Sequence, residues 1–235
     1  MPLTAGQGAS GADAGADLRH VDTWLFDLDN TLYPLDSGLA AKMSGRITDF
    51  VERLTGLPRP ESLALQKRYL AEHGLTLKGL MENHGVDPDA YHAEVHDVPL
   101  DGLPTDANLA SALARLPGRR LIFTNADAAH AGRVLSALGL ADLFDDVFHI
   151  GSADFNPKPS PTAFTRIIAA HGIDPATTAF FEDAEHNLAP AAALGMTTIL
   201  VGADAAAAKA PFVQFRTDNL ADFLSRARLK EIPAP

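Results

Sequence analysis

Short apolar runs recur along this chain and alternate with stretches of helical pattern. The runs are Thr23 to Phe26, Arg120 to Phe123, Val147 to Ile150, Thr178 to Phe181 and Thr197 to Val201. Runs of that length, punctuated by polar residues, read as buried strands, and their alternation with helices predicts a parallel sheet covered on both faces. Helix ends are marked by a glycine followed by an apolar residue at Gly56-Leu57, Gly74-Leu75, Gly85-Val86, Gly139-Leu140, Gly172-Ile173 and Gly195-Met196. Glycine takes the left-handed conformation beyond the last turn, and the apolar residue after it folds back on the helix. One interval breaks the alternation. Between Leu35 and about Leu103 the pattern is helical with no convincing strand, too long for a crossover loop, which predicts a helical module inserted after the first strand. Such a module can cover the end of that strand, exclude water and carry selectivity.

The ends of the runs carry the chemistry. Asp27 and Asp29 stand two positions apart where the first strand opens into a turn, in Asp27-Leu-Asp-Asn-Thr31. In open α/β sheets ligands bind beyond the carboxyl ends of the strands, so one carboxylate there can serve as a nucleophile and the other can pass protons. Alone, an acidic pair in a turn more often caps a helix or stays solvated. Here it is followed in order by Thr124-Asn125 after Leu121-Ile-Phe123, by Lys158 in Asn156-Pro-Lys-Pro159, and by Glu182-Asp183 after Thr178-Ala-Phe-Phe181. Four polar groups in an ordered set are far less expected by chance than any one of them.

This set resembles the four motifs of the haloacid dehalogenase superfamily, most of whose members are magnesium-dependent phosphohydrolases, over roughly Val21 to Leu224. Within it, Phe26-Asp-Leu-Asp-Asn-Thr-Leu-Tyr33, Val95-His-Asp-Val-Pro99 and Phe181-Glu-Asp-Ala-Glu-His-Asn-Leu-Ala-Pro190 look most like the pyrimidine 5′-nucleotidase branch. The resemblance implies a Rossmann-like, doubly wound α/β core over 21–36 and 104–235, a helical cap over 37–103 and a tail over 1–20. It implies that Asp27 attacks phosphorus to form an aspartyl-phosphate, while Asp29 first protonates the leaving alkoxide and then deprotonates the hydrolytic water. Mg²⁺ is the implied cofactor, since a hard cation with oxygen ligands suits carboxylates and phosphate together. Its ligands would be the Asp27 carboxylate, the Asp29 backbone carbonyl and the Asp183 carboxylate, with Glu182 bound directly or through water. Pyrimidine nucleotidases often have Asp-Asp where this chain has Glu182-Asp183; beta-phosphoglucomutase-like relatives use Glu-Asp. Thr124 and the Asn125 amide would donate to phosphoryl oxygens, and Lys158 would offset negative charge. In the cap, Gly74-Leu-Thr-Leu-Lys-Gly-Leu80 resembles a substrate-facing stretch, making Lys78 and His73 candidate substrate contacts. Asp29 weighs against carbon–halogen cleavage, because dehalogenases of this type lack the second aspartate.

The implied function is a phosphomonoesterase acting on pyrimidine nucleoside 5′-monophosphates or similar small esters. A mutase or phosphotransferase would use the same aspartyl-phosphate and differ in how well the cap excludes water. A non-catalytic binding module is a third reading, against which the presence of Asp27, Asp29, Lys158 and Asp183 together counts.

Composition narrows the classes. At 235 residues, 46% hydrophobic and 21% charged, the chain suits a globular domain with an insertion. A formal charge of −11 disfavours nucleic-acid or anionic-membrane partners, while a local lysine and a metal still accommodate a small phosphorylated metabolite. There is no cysteine, which removes disulfides, thiolate metal sites and cysteine nucleophiles. Without a basic-apolar leader or spanning segment, the expected location is cytoplasmic.

Several features carry a plainer reading. Met1 to about Ala16 has little to bury and reads as a disordered tail, and its Gly6-Gln-Gly8-Ala-Ser-Gly11 lacks the strand that a dinucleotide-binding turn requires. An EF-hand is excluded by Leu32 at the position where that loop needs glycine. His73, His84 and His171 precede helix-ending glycines, where a partly cationic ring suits the helix C-terminus. His186 reads as a solvated first-turn residue, and His92 and His96, four apart, lack a nearby third metal ligand. Trp24 and Phe26 read as core, and Ala205 to Ala208 as a small-residue loop.

Overall fold

The computed structural model describes residues 15–231. Six parallel strands lie in the order β3-β2-β1-β4-β5-β6: β1 Thr23–Phe26, β2 Arg119–Phe123, β3 Asp146–Phe148, β4 Thr178–Glu182, β5 Thr197–Val201 and β6 Phe215–Thr217. The order reverses direction between β1 and β4, the switch point at which the ends of neighbouring strands splay and leave a crevice. Register places Phe26 beside Ile122 on one side and Phe181 on the other, so the ends of β1, β2 and β4 are level.

The central strands β1, β4 and β5 are buried on both faces because period-two alternation sends consecutive side chains into two separate apolar layers. Trp24, Phe26, Ile122, Ala179, Phe181, Ile199 and Val201 enter one layer, with Phe26 stacked on Phe181 at 4.6 Å between ring centroids. Leu25, Leu121, Phe123, Phe180 and Leu200 enter the other. The first layer is closed by α5 (Ala107–Ala114), α6 (Ala128–Leu138) and α9 (Leu220–Arg226), the second by α7 (Pro161–His171) and α8 (Glu185–Ala193). Trp24 Nε1 donates to Pro117 O at 2.6 Å, so the largest side chain of β1 is buried without leaving its N–H unpaired.

Between β1 and α5 come four helices, α1 (Leu39–Thr55), α2 (Arg59–His73), α3 (Thr76–His84) and α4 (Pro88–Val95). They share an apolar cluster of their own, formed by Val51, Leu65, Tyr69, Leu77, Leu80, Tyr91 and Val95. α2 and α3 approach so closely at Gly79 that a Cβ there would lie 2.4 Å from the Tyr69 ring. The ends of this segment, Leu39 and Val98, belong instead to the sheet's own apolar layer.

Gly56, Gly74, Gly85, Gly139 and Gly172 each stand in the left-handed region directly after a helix, as their spacing predicts. Three expectations are corrected. The third strand covers Asp146–Phe148 rather than Val147 to Ile150, because past Phe148 the chain turns and Ile150 N donates to Ala126 O. β6 is a strand without an apolar run, half-exposed, paired with β5 and anchored by Phe215, which packs against the first layer and Phe223. Residues 15–20 of the expected tail are part of the folded α/β core: Asp17 bridges Arg228, and Leu18 is fully buried in the layer of Trp24. The glycine pattern Gly6 to Gly11 and the tail up to residue 14 lie outside the described residues.

Candidate active site

The backbone sets the site before any side chain does. Asp27 N donates to Phe181 O at 2.9 Å, extending the β1–β4 pairing one residue past β1 and aiming Asp27 at the crevice. The chain then turns through Asn30, whose φ of 65° is tolerated by asparagine better than by most residues. Thr31 Oγ1 comes back to donate to Asp27 Oδ2 at 3.1 Å.

Lys158 is the centre of the cluster. Its side chain is 1% exposed, and its Nζ donates to Asp27 Oδ1 at 2.6 Å, Glu182 Oε2 at 2.7 Å and Phe123 O at 2.7 Å. The three donors of an ammonium are thus all used, and the flanking Phe123 and Phe180 rings exclude water around it. The loop that brings Lys158 to β4 is clasped by Asn125, whose Oδ1 accepts from Lys158 N at 2.8 Å and whose Nδ2 donates to Lys158 O at 3.3 Å. This clasp went unread in the sequence, where Asn125 counts only as an amide donor. Thr124 Oγ1 accepts from Ala126 N at 3.0 Å, leaving its hydroxyl proton for another acceptor.

Asp27, Glu182 and Asp183 can each bring a carboxylate oxygen within 4.8 Å of the others. Three carboxylates face one ammonium, an excess of negative charge that a divalent cation matches. Burial pushes the Asp27 carboxyl up, the Glu182 charge adds to this, and Lys158 opposes it. Burial likewise raises Glu182 and Asp183. Hard-cation chemistry fits this donor set: all oxygen, buried, and under-neutralised by the protein itself. Glu182 is the most committed of the three, since Oε2 holds Lys158 and Oε1 accepts from Ala184 N at 3.2 Å. Asn187, one turn into α8, is buried beside them, with an Oδ1 that meets no donor among the described residues. Its place five positions after Glu182 was the sequence signal available for it.

Asp29 lies in a different setting. Tyr33 Oη donates to Asp29 Oδ1 at 2.5 Å, and His130 Nε2 lies 3.1 Å from the same oxygen. Burial alone would raise the Asp29 carboxyl, but the bonds from His130 and Tyr33 outweigh it and hold Asp29 below the usual carboxylate range. Neither residue was a candidate in the sequence. His130 had no motif to mark it, and Tyr33 stood only in the quoted stretch.

Of the two cap candidates, Lys78 Nζ donates to Asn156 Oδ1 at 3.3 Å, two residues before Lys158, whereas His73 faces Glu82 at 3.2 Å. His186 is exposed on α8. His92 and His96 stack on each other at 5.3 Å, and His96 bonds Asp127 at the start of α6.

A model of haloacid dehalogenase-like hydrolases matches residues 21–195, which contain every motif residue of the site. The chain belongs to that family. Phosphate metabolism protein 8 of Saccharomyces cerevisiae is 31% identical over 193 residues, covering 75% of this chain and 60% of the yeast protein's length. The fold is shared with the putative HAD-hydrolase YfnB from Bacillus subtilis, solved bound to magnesium (TM-score 0.58, 16% identity, 87% of this chain and 97% of that one). It is shared equally with L-2-haloacid dehalogenase from Xanthobacter autotrophicus (TM-score 0.54, 18% identity, 87% and 97%). A shared fold does not by itself fix the reaction, which the residues of the site must decide. Among the described residues, no helix is long and apolar enough to cross a membrane.

Proposed function

We propose that this hydrolase is a Mg²⁺-dependent phosphomonoesterase that works through an aspartyl-phosphate on Asp27. The observation that carries the reading is the pairing of two carboxylates with opposite surroundings, Asp27 on Lys158 and Asp29 on Tyr33 and His130. A carbon–halogen bond needs a nucleophile alone, whereas an alkyl phosphate also needs a proton for its leaving oxygen.

In the first step an Asp27 oxygen forms a bond to phosphorus, the ester P–O bond breaks, and Asp29, which takes up a proton as the anionic substrate binds beside it, gives that proton to the departing oxygen. In the second, water attacks the phosphorus, Asp29 takes a proton from it, and the bond to Asp27 breaks to release inorganic phosphate. Lys158 offsets charge on the nucleophile and the phosphoryl group, and Thr124 donates its hydroxyl to a phosphoryl oxygen. The Asn125 side chain holds Lys158, so its backbone N–H is what it offers the phosphate. Asp27, Asp183, the Asp29 carbonyl and Glu182, the last directly or through water, would hold the cation, which would supply the charge neutralisation that lets one anion approach another.

The substrate class follows from the resemblance to pyrimidine nucleotidases and is supported by the cavity beside the site. About 980 Å³ in volume, it runs from Tyr33 and Leu35 past Asp183 to Asp204 and Asp218, with no lysine or arginine in its wall. Such a wall suits an uncharged leaving group, as a nucleoside is, better than one carrying a second anion. The helices α1 to α4 are read as the cap, with Lys78 facing the Lys158 loop, and the chain is read as a cytoplasmic enzyme of small metabolites. The test is phosphate release, with and without Mg²⁺, across UMP, CMP, AMP, GMP, sugar phosphates and p-nitrophenyl phosphate. Metal-dependent release favouring UMP and CMP is expected. Release from other esters alone would replace the substrate, and release of none would overturn the reading.

A further inference from the structure

His130 occupies a position where its chemistry is out of keeping with its neighbours. α6 buries His130, Ala131, Val134, Leu135 and Leu138 against the sheet. The other four are apolar, yet the His130 side chain is 0% exposed. Its Nδ1 is buried with no partner among the described residues. A buried polar atom left without a hydrogen bond is destabilising, a cost that leucine at the same place would avoid. What histidine adds there is Nε2, 3.1 Å from Asp29 Oδ1. Oδ1 is an acceptor whether Asp29 is ionised or carries its proton on Oδ2, so the proton of this bond is on Nε2.

The second donor to Asp29 lands on the same atom, since Tyr33 Oη also reaches Oδ1. Among the described residues no hydrogen bond reaches Asp29 Oδ2. The two donors therefore fix the rotation of the carboxyl group and leave one defined oxygen free to give or take a proton. His130 is in turn backed by α4: its ring lies 4.4 Å from that of His96, which bonds Asp127, and Asp127 Oδ1 accepts from His130 N at 2.9 Å.

We infer that His130, together with Tyr33, is a positioning residue that presents Asp29 Oδ2 to the leaving group, and that the His96–Asp127 pair braces it from the helical segment. The inference rests on the phosphomonoesterase reading and deepens it. Neither residue touches substrate; both act through the direction in which Asp29 points. Proton donation matters in proportion to how poor the leaving group is. A misdirected Asp29 therefore penalises alkyl phosphates, whose alkoxide must be protonated, and spares p-nitrophenyl phosphate, whose phenolate departs unaided.

The experiment compares kcat/KM, which reports the step in which the leaving group departs, for UMP and p-nitrophenyl phosphate with Mg²⁺. The proteins are wild type, Tyr33→Phe, His130→Met and His130→Gln. Tyr33→Phe and His130→Met are expected to lower the UMP value about 10- to 100-fold more than the p-nitrophenyl phosphate value, a fraction of the full worth of a general acid. His130→Gln keeps an N–H donor at similar reach and is expected to recover most of the selective loss. Equal falls on both esters, no fall, or failure of glutamine to do better than methionine would overturn the inference. Tyr33→Phe, which removes one oxygen atom, keeps it testable should His130→Met not fold. If wild type hydrolyses p-nitrophenyl phosphate but not UMP, the alkyl phosphate it does hydrolyse replaces UMP. If it hydrolyses neither that nor any ester, the phosphomonoesterase reading itself has failed.

Discussion

Asp27 and Asp29 are two residues apart on one strand end, yet the fold places them in opposite electrostatic surroundings. Asp27 turns into the sheet's crevice, where the Glu182 and Asp183 carboxylates outnumber the Lys158 ammonium, and its proton affinity rises. Asp29 turns toward α6, where it meets only donors, and its proton affinity falls. The period of a strand explains the divergence, since positions i and i+2 share a face only while the strand lasts, and this one ends at Phe26. A group that must attack a phosphate gains from a neighbourhood that calls for a cation. One that must exchange protons gains from fixed direction. Identical side chains thus acquire distinct uses from their neighbours alone.

The largest effect that could break this comparison is on turnover. Asp27→Asn is expected to lower kcat by on the order of 10³-fold or more, as loss of a covalent nucleophile does. Because it relieves crowding among carboxylates, its melting temperature without metal should not fall below that of wild type. An unchanged rate would remove Asp27 from its assigned place.

On the Asp27 side, Lys158→Met strands buried carboxylates without their cation, on the scale of about 3–5 kcal/mol. The Asp27 and Glu182 pKa values, already raised by burial, would rise further, so the native state would hold protons that the unfolded chain has released. The variant should thus be least impaired below about pH 4, the carboxylate value of the unfolded chain, and lose stability as pH rises from there. Urea midpoints measured between pH 4 and pH 8 check this; a loss independent of pH would contradict it.

A third expectation separates the two regions by metal. Mg²⁺ at about a hundred times its dissociation constant should stabilise the wild type by about 2.7 kcal/mol, reversed by chelation. Asp183→Asn should abolish most of that thermal shift, and Tyr33→Phe should leave it intact. Equal sensitivity of both variants would mean that the two pockets are not independent.

A last effect lies beyond Asp29, where burial pulls the His92 pKa down to about 4. Unfolded, it titrates near 6.5, so the unfolded chain binds the extra proton first. Native stability should decline as pH falls from about 6.5 toward 4. His92→Gln should flatten that part of the slope, read from the same urea midpoints.

The sequence alone indicated an α/β fold with a parallel sheet and glycine-ended helices, a helical stretch between Leu35 and about Leu103, and a candidate set of Asp27, Thr124, Lys158, Glu182 and Asp183. These rest on local signals: strand runs, helix stops and polar residues at the ends of apolar runs, all readable within a few residues. Only the tertiary structure decided that Asn125 clasps Lys158, that Leu18 is core, that β6 exists, and that His130 and Tyr33 hold Asp29. Each depends on a partner dozens of residues away or on which way a turn carries a side chain. His130 is 101 residues from Asp29 along the chain and looks in isolation like one polar residue on a helix. Periodicity says which face a residue takes, but only packing says which atom it meets there.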